Sequence, residues 1–88
     1  MKSNVKDLER IAQAKMKEVL SRYVIDERIK KEITLGFTIE NGIYVWDLYV
    51  PQEKPQDALV ISEARVDPNT LEVIVSVFEN IYLKLKIA

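Results

Sequence analysis

An Asn-Gly pair, Asn41-Gly42, joins two alternating apolar runs that stretch from residue 33 to residue 50. A two-residue type I′ turn needs positive φ at both central residues, and Asn followed by Gly meets that need at the least steric cost. The turn also fixes the strand register: Glu40 opposes Ile43, Ile39 opposes Tyr44, Phe37 opposes Trp46, Leu35 opposes Leu48 and Ile33 opposes Val50. In that register Ile33, Leu35, Phe37, Ile39, Tyr44, Trp46, Leu48 and Val50 share one face, and a slip of one residue would scatter them. The reading therefore predicts a hairpin with Phe37 and Trp46 buried side by side under a helix. Gly36, in mid-strand opposite Asp47, marks a place for a bend or bulge.

The helix is expected over residues 4 to about 23. Val5, Leu8, Ile11, Ala12, Met16, Val19, Leu20 and Tyr23 recur at spacings of three and four, which is one helical stripe. Asn4 is a natural N-cap, and Asp7 sets a carboxylate in the electropositive first turn. Residues 24–32 allow two readings. Ile25, Ile29 and Ile33 fit a short helical turn capped by Asp26, and Ile29 is also in phase with the strand that follows. Residues 51–57 form a polar loop with two prolines.

A second hairpin is expected from 58–66 and 71–78 around the turn cluster Asp67-Pro68-Asn69-Thr70. If Val66 opposes Leu71, then Ala64 opposes Val73, Ser62 opposes Val75, Val60 opposes Val77, and Arg65 faces Glu72 as a cross-strand charge pair. Ile81, Leu83, Leu85 and Ile87 continue an alternation, either as a bent fourth strand or as a fifth short one. The expected architecture is α+β, a single domain with one N-terminal helix packed on an antiparallel four- to five-stranded meander, α-β-β-β-β.

Composition narrows the function classes. Thirteen Lys and Arg against fourteen Asp and Glu give a formal charge of −1, unlike the basic surface that nucleic acid demands. Without Cys there is no disulfide, no thiolate chemistry and no Cys-based zinc site. Without His the chain lacks the commonest general base and metal ligand, and stability is expected to be flat between about pH 6 and 8. No cofactor or metal is expected. No apolar run approaches the ~18 residues of a membrane span. The charged, amphipathic N-terminus has no apolar signal segment, so a cytoplasmic location is the expectation.

Few residues offer themselves as a site. Tyr44 and Trp46 could form an aromatic platform, but their face reads as core. Asp47 and Glu63 are strand carboxylates on the other face, and the sequence does not show whether they meet. Arg28, Lys30 and Lys31 form a basic run flanked by Glu27 and Glu32, which reads as a solvated connection. The strongest signal is an excess of apolar residues on the sheet face turned from the helix: Ile43, Val45, Tyr49, Leu59, Ile61, Ile74 and Phe78. An open antiparallel sheet is normally polar there. These residues are expected to form an interface with a protein partner or with a second copy, as a homodimer, and Ile61→Lys would then dissociate it.

The helix, the Trp-bearing strand and the segment Val66-Asp67-Pro68-Asn69-Thr70-Leu71-Glu72-Val73 resemble small cystatin-like α/β-roll domains, such as PepSY domains and cystatin-like bacterial immunity proteins. These often carry a Val-Asp-x-x-Thr-Gly-x-Val turn between their last strands; Leu71 stands where the Gly usually sits. The resemblance spans about residues 5 to 80 and implies a noncatalytic role: inhibiting or neutralising a protein partner, or acting as a small chaperone-like module. It transfers no catalytic residues. The alternative is a ligand-binding or enzymatic roll with a pocket between helix and sheet, lined by Trp46, Tyr44 and a carboxylate.

Overall fold

The computed structural model describes residues 4–79 and 83–85. Helix α1 spans Val5–Leu20, strand β1 Tyr23–Ile25 and the single turn α2 Glu27–Lys30. Four strands follow, β2 (Thr34–Glu40), β3 (Ile43–Val50), β4 (Leu59–Val66) and β5 (Val73–Val77), with a short 3-10 turn at Pro55–Asp57 before β4. Strand β6 (Leu83–Leu85) closes the described chain. The main sheet is antiparallel in the order β2-β3-β4-β5, and β1 pairs with β6 as a separate two-stranded ribbon. This is the α+β arrangement expected, a helix on a four-stranded meander. Of the alternation after residue 80, Leu83 and Leu85 belong to β6, outside the main sheet, and Ile81 and Ile87 lie outside the described residues.

Local chemistry sets the helix ends. Asn4 Oδ1 accepts the Asp7 N–H at 2.9 Å, and Asp26 Oδ1 accepts the Arg28 N–H at 2.9 Å to start α2. The helix ends earlier than its apolar stripe suggests, because Tyr23 and Ile25 are drawn into the ribbon with β6. Their side chains pack with Leu20, Ile29, Ile33, Leu59 and Val77 around buried Val50, Ile61 and Leu83. A second cluster holds Leu8, Ala12 and Met16 of α1 against Trp46, Ala64 and Val66.

The first hairpin has the register that its turn dictates, from Glu40 opposite Ile43 to Thr34 opposite Tyr49. Asn41 and Gly42 both take positive φ, 50° and 80°. Pairing runs through Gly36 without a shift, so this glycine makes no bulge. Its role is space: a Cβ there would meet Tyr49 Cε1 at 3.0 Å.

The second hairpin departs from expectation by two residues. Val66 opposes Val73, Ala64 opposes Val75 and Ser62 opposes Val77, so Arg65 faces Ile74 and not Glu72. The connection is longer because Asp67 organises it. Its Oδ1 accepts the Asn69 N–H at 2.8 Å, and its carbonyl accepts the Leu71 N–H at 2.8 Å. Closing that loop puts exposed Leu71 at φ 63°. A shift of two keeps the same residues facing the core, which is why the face assignment survives the wrong register. Left-handed backbone strains a side chain that Gly would not carry. Leu71→Gly is therefore expected to stabilise the fold by about 1 kcal/mol, read as a rise in the urea midpoint.

A larger departure lies in β4. Leu48 opposes Ser62, yet Tyr49 opposes Val60, so Ile61 is an extra residue in a bulge. The bulge reverses the phase of the strand: Ile61 and Leu59 join the core on the helix side, and Val60 turns outward. Ser62 is buried as well, and its Oγ donates to Met16 Sδ at 3.4 Å.

Candidate functional site

The outer face, turned from α1, carries a charge cluster. Asp47 lies directly opposite Glu63, so the two strand carboxylates do meet. Arg65 donates to Glu63 Oε1 at 2.9 Å and to Glu40 Oε2 at 2.8 Å. Arg65 and Thr38 flank Val45 on either side, and Glu40 lies two residues along β2 from Thr38. The arginine must therefore cross β3 over Val45 to reach Glu40, which explains why Val45 is buried on a face without a helix.

Asp47 Oδ1 is buried without a hydrogen-bond partner. Burial first, then the negative charges of Glu63 and Glu40, push the Asp47 pKa above its ordinary 3.8; the Arg65 charge opposes this. The folded chain thus holds the Asp47 proton more tightly than the unfolded chain does. Its contribution to stability is complete below pH 3.8 and is lost as the pH rises through the raised folded value. Asp47→Asn removes the charge that faces Glu63 and Glu40, so it is expected to raise the urea midpoint at pH 7 and to lose that advantage towards pH 4, where the proton already neutralises Asp47. Urea midpoints of both proteins at the two pH values check the sign.

The outer face is less apolar than the sequence predicts. Ile61 and Leu59 sit on the helix side, and Val45 lies beneath Arg65. Ile43 and Tyr49 are half-buried, while Ile74 and Phe78 are exposed along β5 and its end. The expected interface residues thus form no single patch. Tyr49, Asp47, Pro51, Gln52, Pro55, Ala58 and Val60 instead line a groove of about 480 Å³ beside the 51–58 loop. Of the basic run, Lys30 pairs with Glu27 at 3.3 Å, within α2.

The inner face holds what the sequence reading misplaced. Trp46 is buried as expected, at 1% exposure, but Phe37 and Ile39 are 46% and 53% exposed. Helix α1 lies over β4 and β5 and leaves the β2 side uncovered. One helix about 10 Å across cannot roof four strands spaced about 4.8 Å apart. Correspondingly, only a narrow stripe of α1 is buried: Leu8, Ala12 and Met16. Phe37 stacks on Trp46 with centroids 4.8 Å apart, and Tyr44 meets Phe37 edge-on at 5.8 Å.

Beside these rings, a groove of about 610 Å³ runs between α1 and the sheet. Leu35 and Leu48 of the sheet, Met16 and Leu20 of α1, and Tyr23 and Ile25 of β1 line it, with Lys17 and Lys30 also on its wall. A pocket between helix and sheet therefore exists, but its lining includes neither Trp46, nor Tyr44, nor a carboxylate. No group of three or more acidic residues among the described residues is placed to hold a metal ion, and no described helix is long and apolar enough to cross a membrane. Comparison with known protein families, with curated proteins and with solved structures gives no significant match to this chain.

Proposed function

We propose that the chain is a noncatalytic protein-interaction module, of the kind that inhibits or neutralises a protein partner, and that it engages its partner through the uncovered inner face of β2 and β3. One observation carries the reading. Phe37 and Ile39 project on the core side of the sheet, yet about half of each stays in water. A phenyl ring already stacked on buried Trp46 is held in place, so it loses little freedom on binding. Lys17 beside the groove favours a partner with an acidic residue flanking its apolar contact. The likeness of residues 66–73 to the turn of cystatin-like immunity proteins accords with this, and a cytoplasmic location belongs to the same proposal.

The test is site-specific photocrosslinking in the native host. A benzoylphenylalanine at position 37 is expected to yield discrete protein adducts, and one at position 10, on the exposed side of α1, is expected to yield none. Equal labelling from both positions, or none from 37, would sink the reading. A second reading, binding of a small apolar ligand, is favoured by the groove over Leu35 and Leu48. It predicts that Leu48→Trp abolishes ligand uptake and leaves the position 37 adducts intact.

A further inference from the structure

We infer that the free edge of β2 pairs with β2 of a second copy, antiparallel, across a two-fold axis at Phe37. This rests on the reading above and names the partner at the β2 end of that surface. No strand lies beyond β2 in the sheet among the described residues. The two-residue turn makes Glu40 and Ile43 a hydrogen-bonded pair, and pairs alternate along an antiparallel ladder. Thr38, Gly36 and Thr34 therefore spend their backbone groups on β3. Leu35, Phe37 and Ile39 direct theirs outward, to the edge.

That outward set is self-complementary. About an axis at Phe37, Phe37 faces its own copy, Leu35 faces Ile39, and Ile39 faces Leu35. Each is a hydrogen-bonded pair, so every outward N–H and C=O of the three residues finds a partner. The side chains of the same three residues lie on the inner face, apolar against apolar. On the other face Thr34 meets Glu40 and Gly36 meets Thr38, so no like charges are opposed. The strand lacks the usual protections of an edge: Thr34–Glu40 contains no Pro, no Lys and no bulge. A two-fold axis makes one edge sufficient for a closed dimer.

A contact built on one strand is smaller than the ~1,000 Å² of a stable interface, so the dimer is expected to be reversible at about micromolar concentrations. Sedimentation equilibrium of the full chain from about 1 to 300 µM tests it. Phe37→Lys and Phe37→Glu should each weaken the dimer at least about tenfold, since each opposes like charges across the axis. Mixed one to one, they should dimerise again, because position 37 faces itself. Ile39→Pro removes an outward N–H that β3 does not use; it should abolish the dimer while the Trp46 fluorescence stays native. Should the Phe37 variants lose that native signal, Ile39→Pro decides alone. A monomeric wild type, a dimer indifferent to these changes, or a folded Lys–Glu mixture no better than its components overturns the inference. A monomer that still crosslinks to a foreign protein from position 37 removes self-pairing and leaves the proposed function standing.

Discussion

Trp46→Ala is expected to cost about 3–5 kcal/mol, a large part of the stability of a domain of this size. The indole is the largest fully buried side chain and touches both layers, with Leu8, Ala12 and Met16 of α1 on one side and Ala64 and Val66 of β4 beside it. Of these neighbours only Met16 has a flexible chain that could lean into the space, and it is smaller than the indole it would replace. Ala12 and Ala64 have no length to extend, and Leu8 and Val66 are held by helix and sheet backbone. Removal also frees the Phe37 ring that stacks on it. Phe37→Ala, by contrast, deletes a half-exposed ring and should cost about 1 kcal/mol. Urea denaturation followed by far-ultraviolet circular dichroism compares the two without relying on the lost fluorophore. Similar costs for both would mean that the Trp46 site is no deeper than the Phe37 site.

Ile61→Lys is expected to unfold the chain or to cost about 4–5 kcal/mol or more. Read from the sequence, this residue faces a partner, and a lysine there would only break a dimer. Its true position in the bulge is fully buried, at 0% exposure, with Val50 and Leu83. Its neighbours in that cluster are apolar, so the ammonium would lose its hydration among Val50, Leu83, Leu59 and Val77. Thermal unfolding of Ile61→Lys beside Val60→Lys tells the two orientations apart, because Val60 faces outward and should accept the charge with little loss. The opposite ranking would mean that β4 alternates without a bulge.

What was legible from residues alone follows from how local the controlling chemistry is. The Asn41-Gly42 turn holds its strands through two residues, and the whole first register follows from it. Asn4 and Asp26 cap helices within three residues of themselves, and both could be placed. The bulge could not. The run Leu59-Val60-Ile61 is apolar throughout and offers no alternation in which a change of phase would show. The second hairpin slipped by two because Leu71 adopts a left-handed conformation that a glycine would have announced. Asp47 and Glu63 were each visible as strand carboxylates. Their meeting depends on the register between the two hairpins, which the intervening loop leaves open. The exposure of Phe37 and Ile39 needed a different question, namely how wide a sheet one helix can cover.

The ribbon of β1 and β6 has a consequence for the order in which the chain assembles. Both hairpins of the main sheet join neighbours in sequence, so they can form early and at small entropic cost. Pairing Tyr23 with Leu85 instead closes a loop of roughly sixty residues, a contact that is rewarded only once everything between is in place. The ribbon is also short, with three residues on each strand. It should therefore be the last ladder to zip and the first to open. In native-state hydrogen exchange its amides would then report a sub-global opening of lower free energy than those of β3 and β4. Because Leu83 helps to roof Val50 and Ile61, each such opening would briefly wet one end of the core while the Trp46 end stays dry.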